Sequence, residues 1–217
     1  MSSARSPIEL IPSRPQAVWG PLAVANFVGG GLGAGVYVVA VLASRFMPAP
    51  ALTIASWLGP LLVLAGFLAV AIEAGRPRRG PRVLTRVATS WMSREAWLGG
   101  AFVALALGEF VAPGAGLRLL AALAAVTFAT AQGAILRRAR GVAAWSVAVM
   151  PAQFLVSAIL SGTGLYTLVE LGAGPPPSRG LLGAILSLIA LGMLGWVVYL
   201  TWSDEPAFAS ATRPLRT

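Results

Sequence analysis

Three polar side chains, Asn26, Glu73 and Gln132, interrupt apolar stretches of the sequence that are long enough to cross a membrane. Polar groups are costly in hydrocarbon, so their positions point to function. A carboxylate can take up and release a proton, and an amide can donate and accept hydrogen bonds. The three residue types predict a polar pocket between helices, with arginines around it.

A structural role is an equally strong interpretation for each residue alone. Asn26 and Gln132 could bridge helices by hydrogen bonds, since amides serve that purpose in membrane proteins. Glu73 could pair with Arg76 or Arg94 at the membrane interface. What favours a functional interpretation is that all three are expected at the same depth, with Trp91 and Trp97 nearby. Those tryptophans alone would be an ordinary aromatic belt.

The segment from Glu73 to Trp97 is the longest polar break in the chain. It contains Pro77 and Pro81, which prevent a regular helix at its start, and six arginines: Arg76, Arg78, Arg79, Arg82, Arg86 and Arg94. Ser93 is the predicted N-cap of the following helix, which would place Glu95 in its first turn. We predict that this segment forms the working surface of the protein.

Composition excludes several kinds of redox centre within this chain. Of its 217 residues 57% are hydrophobic and 11% charged, and it has no histidine, cysteine or lysine. Bis-histidine haem, iron–sulfur clusters and Schiff-base chemistry each require one of those residues. We therefore expect no metal, haem or cluster here, and place any redox centre on a partner or on a diffusible molecule.

The hydrophobic pattern predicts an all-α, polytopic transmembrane helical bundle of about six spans. We expect residues 1–217 to form a single transmembrane domain, with a polar arm at 1–17 and a polar tail at 203–217 that is poorly ordered unless a partner holds it. The predicted spans are Val18–Ala43, Leu52–Ile72, Ala96–Ala112, Leu117–Leu136, Ala143–Val169 and Gly180–Trp202.

Glycines in the first span indicate close helix packing. Gly29 and Gly33 form one small-xxx-small pattern, and Gly31 and Gly35 form a second. Such patterns let a neighbouring helix approach the backbone. A dinucleotide-binding interpretation is disfavoured, because no strand precedes the glycines.

Arginine placement predicts the orientation. Of the 16 arginines, all but Arg45, Arg118 and Arg179 lie on one side of a six-span topology. Under the positive-inside rule we expect both termini on the cytoplasmic side of the cell's inner membrane. The net charge of +9 then reflects arginines at the lipid surface and not nucleic acid binding. The residues expected at the cytoplasmic end are Asn26, Glu73, Arg94, Gln132, Arg137 and Gln153, and those in the outer half are mainly Glu109, Tyr166 and Glu170.

Four stretches resemble a known family: GGGLGAG in the first span, EAGRP at 73–77, TSWMSRE at 89–95 and ARGVAAW at 139–145. They are similar to the membrane-anchor subunits of dimethyl sulfoxide and polysulfide reductases, the NrfD-like family, over the first five spans. The resemblance implies a haem-free anchor that binds a quinone, menaquinone or ubiquinone. Its partners would be a ferredoxin-like iron–sulfur subunit and a molybdopterin catalytic subunit.

Roles for individual residues follow from this resemblance. Glu73 takes the place of an acidic or histidine residue that relays protons, and Asn26 looks similar to an asparagine that holds quinone. Gln132, Trp91 and Arg94 are added to the predicted quinone site by their expected position at the same end of the bundle, and not by the resemblance. The residues predicted to dock the iron–sulfur partner are Arg76, Arg78, Arg137, Arg138 and Arg140.

Two other functions stay open at this point. A small transporter would need a polar path across the membrane and is favoured by inverted repeats, and the sequence shows neither. A purely structural anchor would tether an enzyme without binding quinone. Replacement of Glu73 by Gln separates that alternative, since a tether tolerates the change and a proton relay does not.

Overall fold

The protein is described by a computed structural model that covers residues 19–45, 51–75, 82–139, 141–173, 179–203 and 206–215. This part of the chain contains no strand and is built of helices joined by short connections. Seven α-helices follow one another: α1 Pro21–Ala43, α2 Ala51–Glu73, α3 Trp91–Val111, α4 Ala115–Arg138, α5 Met150–Ala173, α6 Arg179–Leu200 and α7 Pro206–Thr212.

The six long helices alternate in direction, so the bundle has two distinct ends. The "Glu95 end" carries the starts of α1, α3 and α5 and the ends of α2, α4 and α6. At this end Glu73, at the end of α2, contacts Gly20 before α1, and the Tyr199 hydroxyl of α6 donates to the Ala144 carbonyl before α5. The opposite end, where Glu109 of α3 meets Arg118 of α4, is called the "Glu109 end".

Helix α1 is central, and its glycines explain why. A β-carbon at Gly33 would lie 2.5 Å from the Gly59 carbonyl oxygen of α2, and one at Gly29 3.1 Å from that of Leu62. On another face, Gly31 and Gly35 lie against Phe154 and Ala158 of α5. The predicted close packing is confirmed, and each of the two patterns serves a different neighbour.

Between α1, α3 and α4 lies an apolar layer. The Tyr37 and Phe102 rings pack edge to face with centroids 5.1 Å apart, and Phe128 is fully buried beside them. Small residues such as Ala106 and Ala125 let the three helices approach. Such a layer keeps the polar groups at the two ends of the bundle apart.

The prediction of a helical membrane bundle is confirmed. Five of the long helices, α1, α2, α4, α5 and α6, are long and apolar enough to cross a membrane. Helix α3 has 21 residues, about 31 Å at 1.5 Å per residue, but carries Arg94, Glu95 and Glu109. It packs between α2 and α4, and Glu95 and Glu109 are buried.

Three boundaries differ from the predictions. Ser90, not Ser93, caps α3, and its side chain accepts the Ser93 N–H at 3.3 Å. The fifth helix begins at Met150 because Pro151 suits a first turn, and Ala143–Trp145 forms a separate 3₁₀ turn. The tail, expected to be poorly ordered, contains α7, which is anchored by the buried Phe208.

Candidate functional site

A buried carboxylate, Glu95, joins three helices near the Glu95 end. Its Oε1 accepts hydrogen bonds from Asn26 Nδ2 of α1 and Gln132 Nε2 of α4, both at 3.0 Å. Gln132 Nε2 also donates to the backbone carbonyl oxygen of Asn26, at 3.3 Å. The predicted convergence of Asn26 and Gln132 is therefore present, and the group that brings them together is Glu95.

The same network leaves acceptor atoms without donors. Asn26 Oδ1 and Gln132 Oε1 are buried and have no hydrogen-bond partner, and within the described residues Glu95 Oε2 accepts none either. Since a buried polar atom without a partner is destabilising, these oxygens indicate a place for a hydrogen-bond donor.

Glu109 forms a second three-helix cluster at the other end of the same helices. Its Oε2 accepts from the Tyr37 hydroxyl of α1 at 3.0 Å, and its Oε1 contacts Arg118 Nε of α4 at 2.5 Å. Glu95 and Glu109 lie on one face of α3, about four turns or roughly 21 Å apart. Each is held by one residue of α1 and one of α4.

The two clusters differ in charge. Arg118 neutralises Glu109, so that cluster is a saturated ion pair with an added hydroxyl. The Glu95 carboxylate is held only by neutral amides, and no ion pair involves it within the described part of the chain. A carboxylate in this state can accept a proton without breaking a salt bridge. Of the two carboxylates, Glu95 is therefore the better candidate for a proton acceptor.

Glu73 has a defined place at the edge of this site. Gly75, with φ of 61°, ends α2 just beyond it. The two carboxylate oxygens of Glu73 accept hydrogen bonds from the backbone N–H groups of Gly20, at 2.8 Å, and Ala23, at 2.6 Å. Glu73 thus caps the N-terminus of α1, where a negative charge is favourable, about one turn from Asn26.

Arg94 and Trp91 contact each other and the preceding loop. The Arg94 guanidinium lies 4.5 Å from the Trp91 ring centroid and donates to the carbonyls of Val87, at 2.8 Å, and Ala88, at 2.7 Å. Trp97 Nε1 donates to the Leu84 carbonyl at 3.0 Å. These contacts fold residues 82–90 back onto the start of α3.

Of the arginines predicted to dock a partner, two lie within the described structure. Arg137 and Arg138 are exposed in the last turn of α4 at the Glu95 end, where cations suit the helix dipole. Arg76, Arg78 and Arg140 lie outside the described residues.

Aromatic side chains gather at the Glu95 end, beside the buried network. Trp19 packs on Phe27, with centroids 5.3 Å apart, and on Trp145, at 5.7 Å. Phe27 in turn meets Phe154 of α5 at 6.1 Å. The cluster joins α1 to α5 and to the turn before it.

Sequence reasoning missed Glu95 as a site residue. Placing the N-cap at Ser93 put Glu95 in the first turn, where it looked like a dipole partner. With Ser90 as the cap, Glu95 lies in the second turn and faces inward, 6% exposed. Its spacing from Glu109, which puts both on one helix face, was the signal in the sequence.

Comparison with known proteins supports the resemblance. The family model described as "Polysulphide reductase, NrfD" matches residues 9–113. Over these residues, just under half of the chain, the protein is similar to NrfD-like membrane subunits. The match spans α1, α2 and α3 with Asn26, Glu73 and Glu95, which are the first three of the five spans that carry the resemblance. No curated protein and no solved structure matches the chain.

An NrfD-like protein is a membrane subunit of a redox complex. The Gln132 and Arg118 positions of α4 lie beyond the matched residues, so the hydrogen bonds that they make are known from the structure alone.

Proposed function

We propose that this NrfD-like subunit binds an isoprenoid quinol or quinone beside Glu95 and passes its electrons to an iron–sulfur partner. The observation that carries the proposal is the buried Asn26–Glu95–Gln132 network with its unpartnered oxygens. A quinol fits this network because it brings two hydroxyl donors to a site rich in acceptors. When bound, it supplies two electrons and two protons.

Glu95 is the proposed proton acceptor at this site. Its Oε1 accepts from the two amide donors, and its Oε2 accepts from no donor in the described part of the chain, so Oε2 is the proposed position for a proton. The amides hold the carboxylate in place and supply acceptors, Asn26 Oδ1 and Gln132 Oε1, that orient the ligand. Because no cation among the described residues pairs with Glu95, protonation removes a buried charge instead of breaking an ion pair.

Glu73 is proposed to pass the proton on toward the aqueous surface. Its carboxylate is held by the backbone of α1 at Gly20 and Ala23, about one turn closer to that surface than Asn26, which bonds Glu95. Trp91 and Arg94 are proposed to border the site from the loop that they fix, with Arg94 contributing positive charge near the ligand.

The partner is proposed to dock at the Glu95 end. Exposed Arg82, Arg86, Arg137 and Arg138 make the described part of this end basic, which suits an acidic ferredoxin-like subunit and raises its association rate. That subunit would serve a molybdopterin enzyme. In our proposed orientation this end faces the cytoplasm, by the positive-inside rule.

A matched pair of variants tests the proposal: Glu95→Gln and Glu109→Gln. Both remove a charge from the same face of α3 and keep the side-chain volume. We expect Glu95→Gln to lower quinol oxidation by the complex, purified from its native membrane, by at least about a hundredfold, with assembly retained. Glu109→Gln should leave turnover within about threefold but lower thermal stability, because Arg118 loses its partner.

The contrast between the two variants decides the outcome. If Glu95→Gln keeps wild-type quinol oxidation, the site is elsewhere or absent, and the chain is a structural anchor. A purified complex with no iron–sulfur subunit and no extractable quinone would also contradict the proposal, and would favour the transporter alternative.

A further inference from the structure

A cleft of about 270 Å³ opens on the membrane-facing side of the bundle between α1 and α5. Its lining includes Phe27, Val28 and Leu32 of α1 and Phe154, Ser157 and Ser161 of α5. Val28 is 61% exposed, so lipid has direct access. The cleft is smaller than the roughly 300–1,000 Å³ of pockets that enclose whole ligands, and fits part of a molecule.

The inner end of the cleft adjoins the Glu95 network. A β-carbon at Gly31 would lie 3.3 Å from the Phe154 ring, and one at Gly133 would lie 2.9 Å from Phe154 Cβ. Gly31 follows Gly30, whose β-carbon would meet the Gln132 amide, and Gly133 follows Gln132, so Phe154 packs on the residues next in sequence to this part of the network. The unpartnered amide oxygens are closed to solvent, and Phe154 is a cleft residue that packs on the helix segments carrying them.

We propose that this cleft holds the isoprenoid tail of the quinol and is the side from which the ligand enters. The inference rests on the proposed function and names where that ligand lies. For an amphiphile with its polar ring at Gln132, the α1–α5 cleft is the neighbouring apolar space for the tail, since Gly31 lines the cleft and Gly30 faces the Gln132 amide. Ser157 and Ser161 form its exposed rim, with the Ser161 hydroxyl bonded to the Ser157 carbonyl oxygen.

The energetic role of the cleft is positioning. A tail that moves from lipid into the cleft gains little hydrophobic free energy, because both surroundings are apolar. A bulky residue on the rim should therefore act by steric exclusion, and only on ligands that have a tail. This difference separates the cleft from the ring site.

The experiment measures equilibrium binding of two quinones to the full chain in lipid nanodiscs, by quenching of tryptophan fluorescence. One quinone carries a long isoprenoid tail and the other has none. We expect Ser157→Leu to raise the Kd of the tailed quinone by about tenfold and leave that of the tail-less quinone unchanged. Ser187→Leu, an exposed serine on α6 that bonds its own helix, is the matched control and should change neither.

Each outcome has a defined meaning. If Ser157→Leu weakens both ligands equally, or neither, the cleft holds lipid only and the inference is wrong. If wild-type protein binds the tail-less quinone, but Ser157→Leu does not raise the Kd of the tailed quinone more than that of the tail-less one, the proposed function stands without the cleft. If wild-type protein binds neither quinone, the proposed function fails and the inference with it. Should Ser157→Leu not fold, Ser161→Leu tests the same rim one turn away.

Discussion

Glu95 and Glu109 show how neighbouring residues determine what a buried carboxylate does. Both lie on one face of α3, and each accepts a hydrogen bond from α1 and from α4. Arg118 makes the Glu109 cluster neutral and saturated, which suits a link between helices. The amides at Glu95 leave a charge and several acceptors uncompensated, which suits binding and proton exchange.

Gly30 is where this network can be disturbed without removing any of its polar atoms. A β-carbon at Gly30 would overlap the Gln132 amide, 2.7 Å from its Oε1. We expect Gly30→Ala to displace Gln132 from Glu95, to weaken quinone binding about tenfold, and to destabilise the fold by about 1–3 kcal/mol. Quinone binding and thermal midpoints in detergent measure both effects.

The control for this prediction is Gly100→Ala on α3. Nothing lies within 4 Å of a β-carbon there, and alanine favours a helix by about 0.5–1 kcal/mol over glycine. That variant should bind quinone like the wild type. Equal loss of binding in both variants would show that helix flexibility, and not the position of Gln132, controls the site.

The sequence was informative about depth but not about contacts. It placed Asn26 and Gln132 at one level, and the structure joins them through Glu95. It could not show that Arg94 would bond to loop carbonyls, because that depends on how residues 82–90 fold back. Because the predicted N-cap was Ser93 and not Ser90, Glu95 was assigned to the first turn of α3 and was not recognised as a buried site residue.

Helix α1 organises the bundle because two of its faces lack side chains. Gly33 meets α2 and Gly35 meets α5, so that two helices pack against one backbone. The small-xxx-small spacing predicted close approach, since this depends only on the residues of α1. Which helix fills each face depends on the connections between helices, and α1 alone does not encode it.

Gly35→Ala should be among the most damaging small substitutions in the chain. Its β-carbon would overlap the Ala158 carbonyl group of α5, which is backbone and has no alternative rotamer. We expect a loss of about 3 kcal/mol or more, seen as a sharply reduced yield of monodisperse protein in size-exclusion chromatography. Gly164→Ala, on α5 with nothing within 4 Å, should express normally, and an intact Gly35→Ala protein would contradict the predicted packing.

In the whole molecule, the three-helix unit of α1, α3 and α4 carries both carboxylate clusters, and an apolar layer separates them. Within the described residues, Phe102, Phe128 and their alanine neighbours fill the space between the two. This arrangement favours a site confined to the Glu95 end of the bundle over a polar path through the membrane. The proposed function therefore depends on which side of the membrane the Glu95 end faces.

Cysteine labelling can determine that side, because the chain has no native cysteine. Thr85→Cys marks the exposed loop of the Glu95 end, and Gly114→Cys marks the exposed connection at the Glu109 end. If the positive-inside rule sets the orientation, a membrane-impermeant maleimide added to intact cells with a permeable outer envelope labels position 114. Position 85 is then labelled only after the membrane is opened. The reverse pattern would place the docking surface outside the cell, and the partner would have to be an exported subunit.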